Sequence, residues 1–220
     1  MFCDIVAVIL VLIVLSHLCL EVHYFLRISL SGYALSSWVS KKVHLNYLLI
    51  SLCICLTTDL DTFLHHMNNA RFIRELDFAR ADFYERTGLF QCIRNKKGAF
   101  ALGATTMRYR RFLRLFQRYI IKTKIMCWTE QDIYMEHRFV NPCDNFVNAI
   151  AIVKIRLINC SVEDVMKDLL EKVGVDSSQI KPKIPLEVAK WIESNEISST
   201  ILRTENSPNN VTINVSSTDL

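Results

Sequence analysis

Between Thr87 and Thr129 the chain has no Asp or Glu, while ten Lys and Arg residues, from Arg94 to Lys124, fall in the same interval. Such a one-signed stretch attracts anions. The formal net charge is nonetheless only +4, and neither a set of stacking aromatics nor a nucleic-acid motif accompanies the basic residues, so no nucleic-acid partner is implied. Also missing are a Gly-x-Ser-x-Gly elbow and a glycine-rich phosphate loop. Serine-hydrolase and nucleotide-hydrolase chemistry are excluded with them.

The cysteines, at positions 3, 19, 53, 55, 92, 127, 143 and 160, form no Cys-x-x-Cys pair, and no histidine cluster has zinc-ligand spacing. No metal site and no cofactor is expected. Cys53-x-Cys55 lies in an apolar run, which reads as buried free thiols in a reducing compartment. Six cysteines lie beyond the first apolar segment, so an oxidised, secreted domain is the alternative.

That first segment is the longest apolar run. From Ile5 to Leu20 only Ser16 and His17 interrupt it, and about 20 apolar residues cross a bilayer as a helix. A membrane helix or signal anchor is expected over 1–27. No Lys or Arg precedes the run and no small-x-small cleavage site follows it, which favours a retained anchor over a cleaved signal peptide. Arg27, Lys41 and Lys42 come after it and Asp4 before it, so the positive-inside tendency leaves the downstream domain in the cytosol. Three Asn-x-Ser/Thr acceptor patterns, at Asn159, Asn210 and Asn214, matter only if the domain is lumenal instead.

The remaining chain divides by pattern. Residues 28–47 read as a membrane-proximal connector with Tyr33 and Trp38. Leu45 to Leu56 is a second apolar run, too short to span a bilayer, which suits a buried strand better than a re-entrant segment. After Asn69 the apolar residues Phe72, Ile73, Leu76, Ala79 and Phe83 recur at spacings of three and four, and Arg71, Arg74, Glu75, Asp82, Glu85 and Arg86 take the other faces. One amphipathic helix follows, with Asn68 or Asn69 as its cap and Gly88 just past its end. Beyond it the period changes to two. Ala99–Tyr109, Tyr119–Trp128, Ile133–Val140 and Phe146–Ile158 read as four strands in meander-like succession. A long helix followed by an antiparallel sheet buries both apolar faces if the sheet curls around the helix. The fold class is therefore α+β, a hotdog fold over 48–160. A helical extension is expected over 161–204, with helices starting at Ser161 and Pro185, and a disordered tail over 205–220.

The polar stretch ahead of the helix carries the chemistry. Asp59-Leu60-Asp61, His66-Met67-Asn68-Asn69-Ala70-Arg71-Phe72, Arg74-Glu75 and Asp77-Phe78-Ala79-Arg80, then Tyr109-Arg110-Arg111, Arg138-Phe139-Val140 and Trp191-Ile192, resemble the hotdog-fold acyl thioesterases. The likeness spans roughly residues 57–204 and is strongest to their membrane-associated branch, thioesterase superfamily member six. It implies hydrolysis of a fatty-acyl thioester, carried by coenzyme A or an acyl carrier, in a homodimer at the endoplasmic reticulum membrane. It also implies a catalytic carboxylate at Asp61, an orienting histidine at His65 or His66, and substrate-binding groups at Asn68, Asn69, Arg110 and Arg111. In that chemistry the carboxylate activates water or attacks the carbonyl, while N–H donors at the helix start stabilise the oxyanion. For the basic stretch, the readings are a solvated sheet face, contact with coenzyme A phosphates, an acidic acyl carrier, or anionic lipid.

The chain departs from the pattern of plant acyl-carrier thioesterases. Phe63 stands where an asparagine is expected, and Phe112 where a further acid is expected after Tyr-Arg-Arg. One extra residue separates the acids from the asparagines, so His65 matches counting from one side and His66 from the other. These departures support a second reading, a catalytically silent acyl- or lipid-binding and interaction protein on the same scaffold.

Overall fold

The computed structural model describes residues 49–173 and 182–206, together with Val6 and Val11. The expected membrane helix over 1–27, the connector over 28–47 and nearly all of the tail from 205 lie outside the described residues. Among those described, no helix is long and apolar enough to cross a membrane.

The chain runs β1 (Leu49–Ile54), α1 (Asn69–Thr87), α2 (Leu89–Asn95), β2 (Ala99–Tyr109), β3 (Arg118–Trp128), β4 (Asp132–Val140), β5 (Val147–Ile158) and α3 (Val162–Val173). The five strands form one antiparallel sheet in the order β1-β3-β4-β5-β2. This is the hotdog arrangement, with one correction to the meander. Only β3, β4 and β5 are consecutive neighbours, because β2 crosses to the far edge beside β5. Period-two patterning marks each strand but carries no information about its partner. Bulges in β2 at Leu102/Ala104, in β3 at Ile125/Cys127 and in β5 at Asn148, opposite Phe139/Val140, add the local twist that curls a sheet.

α1 begins where Asn68, in extended conformation, accepts the Ala70 N–H on its side-chain oxygen, and ends where Gly88 takes φ 76°. Only glycine enters that left-handed region without a Cβ penalty. Phe72, Leu76, Ala79 and Phe83 are buried as the spacing predicts, but Ile73 is 42% exposed. Phe78, Glu75 and Asp82 are buried in its place. A second neighbour explains the change: the Ser51 hydroxyl of β1 donates to Asp82 at 2.7 Å, and Arg86 brackets the same carboxylate at 2.8 and 2.9 Å. A single apolar stripe describes a helix with one partner surface, whereas α1 has two.

The inner sheet face and α1 share one core with α2 and with Val162, Val165, Met166, Leu169 and Leu170 of α3. Full burial of side chains such as Leu76 and Phe83 contributes about 1.5–3 kcal/mol each. Close approach fixes Gly98, where a Cβ would stand 2.3 Å from the Cys160 sulfur. The outer sheet face carries the lysines of β3. Lys124 and Arg138 flank the buried Glu136 at 3.3 and 2.9 Å, and Lys154 and Arg156 flank Asp132 at 3.2 and 2.9 Å, so part of the basic stretch is locally neutralised. The described residues 182–206 belong to a separate unit that contains α4 (Leu186–Glu205), started after Pro185 and carrying Trp191.

Candidate active site

The loop between β1 and α1 is closed by its own backbone. Leu60 and Met67 form an antiparallel bridge. The Asp61 N–H donates to the His66 carbonyl at 2.9 Å, the Asn68 N–H to Asp59 at 2.8 Å, and the Met67 N–H to Leu113 at 2.8 Å. The last bond ties the loop to the segment between β2 and β3. Leu64, at the turn, has φ 57°, and Phe116, in the facing segment, has φ 58°. A left-handed conformation costs a side-chain-bearing residue about 1 kcal/mol, so the loop and the facing segment each hold strain at one large apolar residue.

Inside this frame Asp61 Oδ1 accepts the His65 N–H at 2.9 Å and the His66 N–H at 3.4 Å. The His66 ring lies with Nε2 3.8 Å from Asp61 Oδ2, and its Nδ1 faces the Met67 carbonyl at 3.1 Å. Partial desolvation raises the Asp61 pKa, but the two N–H donors and the neighbouring imidazoles outweigh it and hold the carboxyl below the ordinary carboxylate value. Asp61 is therefore an anion at neutral pH, fit to attack or to accept a proton and unfit to donate one.

The start of α1 faces the same loop. With the Ala70 N–H on Asn68 Oδ1, the Arg71 N–H on the Asn68 carbonyl and the Asn68 N–H on Asp59, the Asn69 N–H is left without an acceptor among the described residues. No acid sits in the first turn of α1. The positive end of the helix dipole is thus uncompensated by its own side chains, and one N–H is open for an oxyanion.

Of the predicted residues, Asp61 and His66 come together, while Asn68 caps α1 and bonds to the Asp59 carbonyl, with Asn69 next to it. His65 bonds to Asp61 through its backbone N–H, and its ring acts on the carboxylate only electrostatically. Arg110 and Arg111 turn elsewhere: their guanidiniums stack over Phe146 at 4.8 and 3.6 Å, and Arg111 pairs with Asp144. Three contacts at the site have no sequence signal because they join residues far apart in the chain. The Phe112 ring stacks on His66 at 4.2 Å with an interplanar angle of 1°. Tyr109 Oη donates to the Asn69 carbonyl at 3.1 Å. Asn148, fully buried, donates to the Arg111 and Phe112 carbonyls at 3.4 and 3.2 Å and so holds the segment that presents Phe112.

A second polar group lies beneath α1. His137 of β4 is fully buried with Nδ1 2.9 Å from Thr123 Oγ1, and burial, reinforced by the Arg80 charge, pushes its pKa down to about 3. A cleft of about 250 Å³ also opens between β1 and α1, lined by Cys53, Glu75, Phe78, Asp82 and Ile121 among others. None of the predicted site residues lines it, and its carboxylates suit an acyl tail poorly. All six described cysteines are free, and burial pushes Cys55 and Cys127 up to about 11, so those two thiols are inert. No metal-holding group occurs among the described residues.

Comparison with known proteins gives this arrangement a family. Residues 55–192 match the Thioesterase-like superfamily. Protein THEM6 of Drosophila melanogaster is 37% identical over 194 residues, which cover 88% of this chain and 97% of that protein. Protein THEM6 of Xenopus laevis is 40% identical over 71% of this chain and 73% of its own. Among solved structures, YbaW of Escherichia coli, described as a probable thioesterase, superposes with a TM-score of 0.52 at 21% identity, over 57% of this chain and 98% of that one. Slr0204 of Synechocystis, a 1,4-dihydroxy-2-naphthoyl-CoA thioesterase, does so with a TM-score of 0.50 at 9% identity, over 59% and 100%. At those identities the structures speak for the fold, while the sequence matches carry the kinship: the chain belongs to the thioesterase-like superfamily and, within it, to the THEM6 family.

Proposed function

We propose that the protein hydrolyses fatty-acyl thioesters, with Asp61 as base or nucleophile and the Asn69 N–H as oxyanion donor. The observation that carries this reading is an ionised carboxylate and an open helix-start N–H belonging to the same closed loop and helix start. A thioester carbonyl set between them has its carbon facing Asp61, or a water held by it, and its oxygen facing the N–H. His66 orients the carboxylate or the water. The C–S bond breaks and the thiolate takes up the proton that Asp61 removed from the water; where Asp61 itself forms the acyl bond, one water then hydrolyses that mixed anhydride and restores the carboxylate. Asp61→Asn keeps an oxygen to accept the His65 N–H and removes the charge. If purified D61N hydrolyses acyl-coenzyme A at the unmodified rate, the assignment is wrong.

We further propose a homodimer formed along β2. This eleven-residue edge strand is uncharged from Ala99 to Met107 and largely exposed, and an open apolar edge of that length invites pairing with a second copy. Sedimentation equilibrium returning a monomer at micromolar concentration rejects it. The apolar run 5–20 supports membrane anchoring, at the endoplasmic reticulum, with the domain on the cytosolic side. Release of the intact chain by alkaline carbonate argues against the anchor.

A second reading, acyl or lipid binding without turnover, has one specific observation in its favour. Phe112 covers His66 face to face where the plant acyl-carrier pattern has an acid. Acyl-coenzyme A binding without hydrolysis across chain lengths selects that reading.

A further inference from the structure

The loops around the candidate site end in large apolar side chains that pack on little. Phe63 is 79% exposed, Leu64 71%, Phe112 66% and Phe116 63%. Singly exposed apolar residues are ordinary, but a connected group marks a contact surface. Connection here is physical. The Met67 N–H bonds to Leu113, Phe112 stacks on His66, and the Phe116 N–H donates to the Cys55 carbonyl at 2.8 Å, which joins the segment to the end of β1. There the outer face continues the pattern, because exposed Leu52 and Ile54 stand beside Ile120 and Arg118 in the β1–β3 register.

Two further observations point to the occupant. Leu64 and Phe116 both hold left-handed backbones that bulky residues avoid and glycine adopts freely, so the strain is kept at the two tips while the side chains face outward. The surface is also positive. Exposed Arg114 and Arg118 flank the Phe116 tip, within the stretch that lacks acids, and the nearby acids are engaged: Asp61 by the loop amides, Asp59 by the Leu56 N–H, and Asp144 by Arg111. Apolar tips set among arginines match the interfacial layer of an anionic bilayer, where acyl chains and phosphate headgroups meet.

We propose that the Phe63–Leu64 and Phe112–Phe116 tips dock onto an anionic phospholipid surface and hold the mouth of the Asp61 loop against it. Substrate then enters from the lipid layer rather than from bulk water. The inference is independent of whether Asp61 hydrolyses anything, so each can fail alone.

The test is hydrogen exchange on the full chain, reconstituted in vesicles of phosphatidylcholine alone or with added phosphatidylserine. Amides of residues 60–67 and 112–118 are expected to exchange severalfold more slowly in the anionic vesicles, with β4 unchanged, and added salt is expected to reduce the difference. In the L64G/F116G double variant that protection is lost while the melting temperature holds or rises, since glycine relieves both strained backbones. R114E/R118E abolishes the dependence on phosphatidylserine. Equal exchange of the unmodified chain and L64G/F116G in both vesicle types overturns the proposal. So does protection that grows with protein concentration and ignores lipid charge, which identifies a second copy as the occupant.

Discussion

His66, at the mouth of the Asp61 loop, and His137, beneath α1, carry the same imidazole into opposite surroundings. His66 is part-exposed, 3.8 Å from a carboxylate and stacked on Phe112. His137 has no exposure, a hydroxyl on one nitrogen and the charge of Arg80 nearby. The first stands part-open to solvent at the loop mouth, beside a carboxylate. The second is held neutral and ties β3 to β4 within the core. Burial beside a cation thus removes His137 from chemistry, whereas His66 sits at an open carboxylate.

The largest test of that contrast is at its acidic end. D61N is expected to lower acyl-thioester hydrolysis by about 100-fold or more, the usual scale of a lost general base, with little change in melting temperature. Because the anion persists below the ordinary carboxylate range, any hydrolysis by the unmodified protein should keep its acidic limb at correspondingly low pH. Next comes Phe112→Asp, which puts a carboxylate beside His66. Steady-state turnover should rise by about tenfold if a missing acid limits the site, and an unchanged rate shows that the limit lies elsewhere.

At the buried end the measurement is stability against pH. The unfolded chain takes up a proton on His137 near the ordinary histidine value of 6.5, and the folded protein does so only near 3. Between those values the unfolded state binds more protons, so this contribution is complete above the upper value and declines as pH falls. The slope from this group is up to about 1.4 kcal/mol per pH unit. Denaturant melts of H137L should show a shallower slope over that window than the unmodified protein. The smallest effect is at the cap: Asn68→Ala should cost about 1 kcal/mol and raise KM or lower kcat by freeing the first turn of α1, read from melts and kinetics together.

Much of the fold is legible in the sequence because local physics decides it. Asn68 and Gly88 bound α1 as their side-chain chemistry dictates, and the alternation of Tyr119, Ile121 and Thr123 with Ile120, Lys122 and Lys124 marks β3 and its two faces. What stays hidden depends on distant partners. The crossing of β2 to the edge beside β5 leaves no periodic trace, and the exposure of Ile73 in place of Phe78 follows from β1 meeting α1 on a second side. At the site, Asp61, His66 and Asn68 are readable as a motif. The stacking of Phe112, the support from Asn148 and the isolation of His137 are not, because residues far apart in sequence create them.

The Asp61 loop is fastened mainly main chain to main chain, through Asp61 to His66, Met67 to Leu113 and Asn68 to Asp59. Such bonds do not depend on which side chains the residues carry. Positions 62, 63, 65, 66 and 112 can therefore change identity while the loop keeps its shape, so the chemistry at this mouth can be altered by a few side chains with the architecture untouched.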